Sequence, residues 1–326
     1  MININLDTSM WSEDSIQSSW KYDPNCLQNL TSQKNVNEFM KRSRENHDFV
    51  IATITNIEAV TNKHNLKIIN HFPSGVGGLT FSVIDENNNH CVLKFYSDEQ
   101  QFMKAKESTQ LIYKVGLGPE ILTVGSNYLV FEAIKPGTPI RSKKISLNIL
   151  EQLIKDLGVL SKIPYSRFDK NNVWHKELRI KLEDLSARYN EVDNLLKYLD
   201  KIKDKEVYFS HGDAQLGNIL TGNTHYSWID PEPELAPKEA DLARLYTHTC
   251  SDLLGDNPSF KIDDIYKLFI NNTNLDKETF LIIGCIKAFT NYVSLGFGPT
   301  KRIWESKAYY TIYEQLLSEL LIIKTI

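Results

Sequence analysis

His211-Gly212-Asp213-Ala214-Gln215-Leu216-Gly217-Asn218, followed by Trp228-Ile229-Asp230-Pro231, is the stretch from which the rest of the chain becomes readable. Phosphoryl transfer asks little covalent chemistry of a protein. It needs a carboxylate to take the acceptor proton and oxygen ligands to hold a divalent cation against the phosphates. Asp213, Asn218 and Asp230 supply those groups. Val207-Tyr208-Phe209 reads as a short apolar strand, and Ile219-Leu220 with Tyr226 to Ile229 read as two more, parted by the turn residues Thr221-Gly222-Asn223-Thr224. Asp213 and Asn218 therefore bracket one loop, and the hairpin that follows returns Asp230 to the same edge.

A nucleotide-binding half is legible upstream. Lys67 to Phe72, Leu79 to Ile84 and Cys91 to Tyr96 read as antiparallel strands, with Ser74-Gly75-Val76-Gly77-Gly78 in the first turn. Ser74, Gly75, Gly77 and Gly78 are candidates for a phosphate cradle, because glycine lets backbone N–H groups approach an anion without a Cβ in the way. Lys94, on the third strand, is the candidate cation for the α- and β-phosphates. A buried ammonium needs a carboxylate partner, and the helix predicted from Asp98 to Val115 offers Glu99 and Glu107. Glu107 is the choice, one turn before Leu111 on a side taken to be apolar through Phe102, Leu111 and Tyr113 to Val115. Ile121 to Val124 and Tyr128 to Ile134 form a second hairpin, whose end places Glu132 and Ile134 as backbone partners for an adenine edge. Lys135-Pro136-Gly137-Thr138-Pro139 then breaks the chain, and beyond it the pattern is mainly helical, as at Leu147, Leu150, Leu153, Ile154, Leu157 and Leu160.

Composition narrows the alternatives. The 326 residues allow two cores, and 41% hydrophobic with 24% charged residues is ordinary for a globular chain. A formal charge of -4 supplies no basic field for nucleic acid or anionic lipid. Cys26, Cys91, Cys250 and Cys285 are widely spaced, which fits buried free thiols in a reducing cytoplasm. Phe280 to Phe297 is the most apolar long run, but Lys287, Thr290 and Asn291 mark it as a buried helix. The organisation expected is an N-terminal extension over 1–64, partly helical, with Trp11 and Trp20 anchoring it; a nucleotide-binding lobe over 65–135; and a catalytic, acceptor-binding lobe over 136–326.

With these residues assembled, the chain resembles the aminoglycoside phosphotransferase and choline kinase-like superfamily over roughly residues 66 to 250. His211-Gly212-Asp213 with Asn218, followed by Ile229-Asp230, is similar to that family's catalytic loop and metal-binding segment. Glu107-Ser108-Thr109-Gln110-Leu111 with Gly116-Leu117-Gly118-Pro119 resembles its first-lobe helix, and Asp241-Leu242-Ala243-Arg244-Leu245 a helix start whose Asp braces the loop. The resemblance implies an α+β, two-lobed, protein-kinase-like fold: a small antiparallel sheet with one helix, and a larger mainly helical lobe. It implies Asp213 as catalytic base, Asn218 and Asp230 as Mg²⁺ ligands, His211 and Asp241 as structural supports, and ATP, with GTP as the other nucleotide, as donor. Ala214-Gln215, Ser161-Lys162 and Pro231-Glu232-Pro233 depart from the family pattern, and the Asp-Phe-Gly triplet is absent. Between Asp230 and a helix opening near Pro237 there is no length for an activation segment, which disfavours protein substrates.

The acceptor expected is a small molecule bearing a hydroxyl, an aminoglycoside or related antibiotic first, with a metabolic kinase for choline, homoserine or a sugar as the alternative and a nucleotide-binding pseudokinase behind it. The antibiotic reading rests on acidic residues after Glu206: Glu232, Glu234, Glu239, Asp252, Asp256, Asp263 and Asp264. Tyr246, Trp304, Tyr309 and Tyr310 are the aromatics offered to a neutral acceptor. A monomer or dimer in the cytoplasm, without nucleic acid or membrane, completes the expectation.

Overall fold

The computed structural model describes residues 47–71, 78–140, 145–164, 173–256, 261–271, 275–297 and 303–325. By contacts the chain divides into Met1–Thr138 with Thr221–Ser227, and Pro139–Leu220 with Trp228–Ile326. Trp11, Trp20, Cys26 and the glycine-turn residues Ser74, Gly75 and Gly77 lie outside the described residues.

In the first unit, helix α1 (His47–Lys63) leads into strands β1 (Lys67–His71), β2 (Leu79–Ile84) and β3 (His90–Phe95). Helix α2 (Glu99–Lys114) and strands β4 (Ile121–Val124) and β5 (Tyr128–Glu132) follow, and the five strands make an antiparallel sheet in the order β1-β2-β3-β5-β4. The period of two along each strand sorts side chains onto opposite faces. Phe81, Val83, Leu93, Phe95 and Val130 cluster with Ile57 of α1, while Val92, Leu129 and Phe131 cluster with Phe102 and Ala105 of α2. Lys94, set between Leu93 and Phe95, therefore belongs to the α2 face.

Asp98 caps α2 by accepting from Gln101 N at 2.9 Å, and Gly116, at φ +77°, ends it with its N–H on Tyr113 O at 2.8 Å. The apolar side expected for this helix is corrected. Its buried residues are Phe102, Ala105, Ser108, Thr109 and Ile112, whereas Tyr113 and Val115 are exposed and Leu111 is half-buried. Ser108 tolerates burial because its hydroxyl donates to Lys104 O at 2.6 Å.

The break expected at 135–139 holds the division between the two units, at Thr138/Pro139, and is itself a short strand. Pro136–Pro139 is strand β6, at the edge of a sheet ordered β6-β8-β9 with β8 (Ile219–Gly222) and β9 (Tyr226–Trp228). An edge position is where proline can sit without a lost ladder bond.

The second unit is mainly helical. It contains α3 (Leu147–Leu160), α4 (Val173–Ser186), α5 (Glu191–Ile202), β7 (Tyr208–Ser210), a 3-10 turn (Leu216–Asn218) and β10 (Glu234–Ala236). Helices α6 (Glu239–Asp256), α7 (Ile262–Asn271), α8 (Lys277–Phe297) and α9 (Ile303–Thr325) complete it. Lys277–Gly296 is long and apolar enough to cross a membrane, yet Phe280, Leu281, Ile282, Cys285, Ile286 and Phe289 are buried and the helix packs against α6 and α9. It is the core helix that its interrupted apolar pattern predicts. Cys91, Cys250 and Cys285 are buried free thiols, as expected. The small antiparallel sheet and larger helical part read from the sequence are what the chain forms.

Candidate active site

The loop from Ser210 to Asn218 is held by a single buried carboxylate. Asp241, in the first turn of α6, accepts from His211 N at 2.6 Å, Gly212 N at 3.1 Å and Ser210 Oγ at 2.9 Å. Arg244, one turn on, donates from Nη1 to the same carboxylate at 3.3 Å and from Nη2 to Glu234 of β10. Three loop donors and a guanidinium thus meet one side chain that is 6% exposed. Charge-assisted hydrogen bonds of this kind are the strong ones. Asp241→Ala would orphan those buried donors, and a loss of about 3–5 kcal/mol in unfolding free energy is expected in a denaturant titration. A change under 1 kcal/mol would contradict the bracing role.

His211 is fully buried, and its ring lies 5.5 Å from that of Trp228. Its Nδ1 accepts from Asp213 N at 3.4 Å, and its carbonyl accepts from Glu232 N at 2.8 Å. Burial pushes its pKa below the usual histidine value, which favours the neutral ring. Trp228, which sequence reading passed over as strand core, donates from Nε1 to the buried Asp156 of α3 at 3.3 Å and so backs the histidine. Gly212 sits at φ +80°, where a Cβ would overlap the carbonyl oxygen of Glu232.

Asp213 is half-buried, and its Oδ2 accepts from Asn218 Nδ2 at 2.6 Å and from Gln215 Nε2 at 2.8 Å. Asn218 Nδ2 also donates to Asp213 O at 3.0 Å. Both amide hydrogens of Asn218 are then used within the loop, and Oδ1 is the end left for a cation. Gln215, a departure from the family pattern, supplies a second donor that fixes the Asp213 rotamer. Ile229 N bonds Asn218 O at 2.9 Å, which ties the Asp230 segment to this loop. Asp230 is exposed and has φ +51°, a left-handed conformation uncommon outside glycine, asparagine and aspartate. Asp213, Asn218 and Asp230 are thereby placed on one continuous hydrogen-bonded segment.

Glu232 stands beside this loop, its carboxyl raised above the usual range by desolvation and then by the charge of Asp213. The other acidic residues divide. Glu234 is paired with Arg244, and Glu239 is buried and accepts from Asp276 N at 2.9 Å. Asp263 accepts from Gln315 Nε2 at 3.2 Å, and the side chain of Asp256 is outside the described residues. Among the aromatics, Tyr246 is corrected from pocket to core, with its ring packed on Phe269 and Phe280. Tyr309 is buried with its hydroxyl 2.6 Å from His248 Nδ1, and the side chain of Trp304 is outside the described residues.

In the first unit, Lys94 is half-buried and pairs across the sheet with Thr80 and Leu129. A Cβ on Gly78 would lie 3.2 Å from Lys94 Cε and overlap Phe95 O, so the one described glycine of the turn is pressed against that lysine. Glu107 is half-buried on α2. Glu132 N already donates to Glu120 O at 2.9 Å, so this amide is committed within the sheet edge.

The sequence matches no protein-family model and no curated protein. Solved structures do match. A choline kinase from Cryptosporidium parvum Iowa II superposes with a TM-score of 0.60 at 16% identity, over 83% of this chain and 97% of that one. Amicoumacin kinase hAmiN, in complex with AMP-PNP, Ca²⁺ and Ami, superposes with a TM-score of 0.58 at 14% identity, over 84% and 96%. A spectinomycin phosphotransferase in complex with ADP and spectinomycin gives 0.51 at 14%, over 80% and 93%. The chain has the protein-kinase-like α+β fold that these small-molecule phosphotransferases carry.

Proposed function

We propose that the chain is an ATP-dependent small-molecule kinase that transfers the γ-phosphate to a hydroxyl group of its acceptor. The observation that carries this is the Asp213 carboxylate fixed through Oδ2 by Asn218 and Gln215, on a loop braced by Asp241. Held in one rotamer, it retains Oδ1 to accept the proton of a hydroxyl. Lys94 beside Gly78 is the cation for the donor's phosphates, with Glu107 as its partner, Ser74, Gly75 and Gly77 as further amides, and Glu132 and Ile134 for the base.

The donor set fits magnesium: two oxygen ligands, the Asn218 Oδ1 and the Asp230 carboxylate. Among the described residues no cluster of three or more His, Cys, Asp or Glu could hold a metal. Two oxygen ligands suit an ion that takes one or two carboxylates and fills its octahedron with water and substrate phosphates. When bound, it would neutralise charge building on the transferring group. Asp230→Asn keeps a residue that accepts the left-handed backbone and removes only the charge. The Mg²⁺ concentration for half-maximal rate is expected to rise by at least about tenfold. An unchanged metal dependence would remove Asp230 from the ligand set.

The acceptor reading shifts with the structure. Of the acidic residues that spoke for a polycationic antibiotic, Glu234 and Glu239 are committed to Arg244 and to the Asp276 backbone. Glu232 feels the charge of Asp213. This favours a metabolic hydroxyl compound over an aminoglycoside. Nucleotide consumption measured against aminoglycosides, amino alcohols, hydroxy acids and sugars tests the choice.

A further inference from the structure

The ammonium of Lys94 stands over the ring of Tyr96, with Nζ 5.4 Å from the centroid. Residues two apart on an extended chain share a face, so spacing alone puts both side chains on the α2 side of the sheet. Tyr96 directly follows the last residue of β3, is 6% exposed, and has its N–H bonded to Asn127 O at 2.8 Å. Its ring meets that of the buried Phe102 of α2 edge to face, with centroids 5.8 Å apart at 62°. The tyrosine is therefore fixed through its backbone and through its ring.

Lys94 is confined near its head as well. A Cβ on Gly78 would lie 3.2 Å from Lys94 Cε, so the backbone at Gly78 comes close to the end of the side chain. Lysine has a flexible four-carbon stem and loses rotamer freedom when its head is fixed. A ring face within about 6 Å attracts an ammonium through its quadrupole. It does so without a net charge. A carboxylate, the role proposed for Glu107, offsets part of the positive potential that phosphates would meet, and a ring does not.

We propose that Tyr96 is a positioning residue for nucleotide binding. Its ring holds the Lys94 ammonium in advance on the α2 face of the sheet, and Phe102 ties that ring to the helix that carries Glu107. This rests on the reading of Lys94 as the cation for the donor's phosphates. Part of the cost of ordering the lysine then falls on folding and not on binding. The effect belongs to the phosphates of the nucleotide and not to its base.

A double-mutant cycle tests this, with the affinity of the full chain for AMP-PNP and Mg²⁺ read by titration calorimetry. Tyr96→Leu is expected to weaken binding about fivefold. Tyr96→Phe, which keeps the ring face and the contact with Phe102, is expected to stay within about twofold of the parent. Lys94→Met removes the ammonium and keeps an unbranched side chain. In that background Tyr96→Leu should add no further loss. The cycle separates positioning from packing, because the contact with Phe102 is lost in both backgrounds. Adenosine gives a second readout, with equal affinity expected in the parent and in Tyr96→Leu. Should Tyr96→Leu not yield folded protein, Tyr96→Met carries the same comparison.

A loss of the same size with and without Lys94 overturns the proposal, since Tyr96 would then act on the fold and not through the lysine. So does a Tyr96→Phe variant as weak as Tyr96→Leu, or an adenosine affinity that falls in step with that of the nucleotide. Those results leave the kinase reading standing. If Lys94→Met alone binds AMP-PNP as tightly as the parent, the assignment of Lys94 to the phosphates fails, and the role of Tyr96 falls with it.

Discussion

Asp213→Ala is expected to lower kcat by about 10²–10⁴-fold while leaving nucleotide affinity within a few-fold of the parent. The substitution removes the oxygen placed to take the acceptor proton. It does not free Asn218, because Nδ2 keeps its bond to the Asp213 carbonyl at 3.0 Å, which alanine retains. The Oδ1 assigned to the proposed cation therefore stays where it is, and the metal and phosphate contacts proposed for the site are expected to survive. Nucleotide binding by titration calorimetry and rate by coupled assay separate the two effects. A variant that turns over at the parent's rate would remove Asp213 from the chemistry, whatever the affinity.

Gly212→Ala should be nearly as damaging for a different reason. At φ +80° a side chain already costs on the order of 1–3 kcal/mol, and its Cβ would occupy the space of the Glu232 carbonyl oxygen. That carbonyl is backbone, so relief comes only from parting the two segments. Their separation moves Asp213 and Asp230 relative to each other, and a displacement near 1 Å costs about 10²-fold in rate. The expected signature is a lower melting temperature together with a lower kcat. Full activity in the alanine variant would mean that the loop has slack that the hydrogen bonds to Asp241 do not permit.

That the parts of the candidate catalytic segment share one loop and hairpin was legible because they are close in sequence. A His-Gly-Asp turn, an Asn five residues on from the Asp and an Asp after one hairpin can be assembled from local turn chemistry alone. Asp241 came by resemblance, and the structure explains it: a carboxylate in the first turn of a helix, reaching back across β7 to amides 30 and 29 residues earlier. What escaped reading depends on distant contacts. Strand β10 has three residues and no periodicity of its own. Glu234 reads from the sequence as an acid offered to a cationic acceptor, and only the fold sets Arg244 beside it. The α2 face was misread because Ser108 and Thr109 are polar by type, although Ser108 satisfies its hydroxyl on its own helix. Small polar residues hide in cores in this way, and a hydrophobic count passes over them.

The left-handed backbone at Asp230 narrows what natural variation can do there. A glutamate would conserve the charge but not tolerate the conformation, and asparagine or glycine would accept the conformation and forfeit the charge. Aspartate is the one residue type that satisfies both demands. Any homologue that lost it would therefore trade either loop geometry or the cation binding proposed for it, and substitution by the chemically nearest acid would be no safer than substitution by a neutral residue.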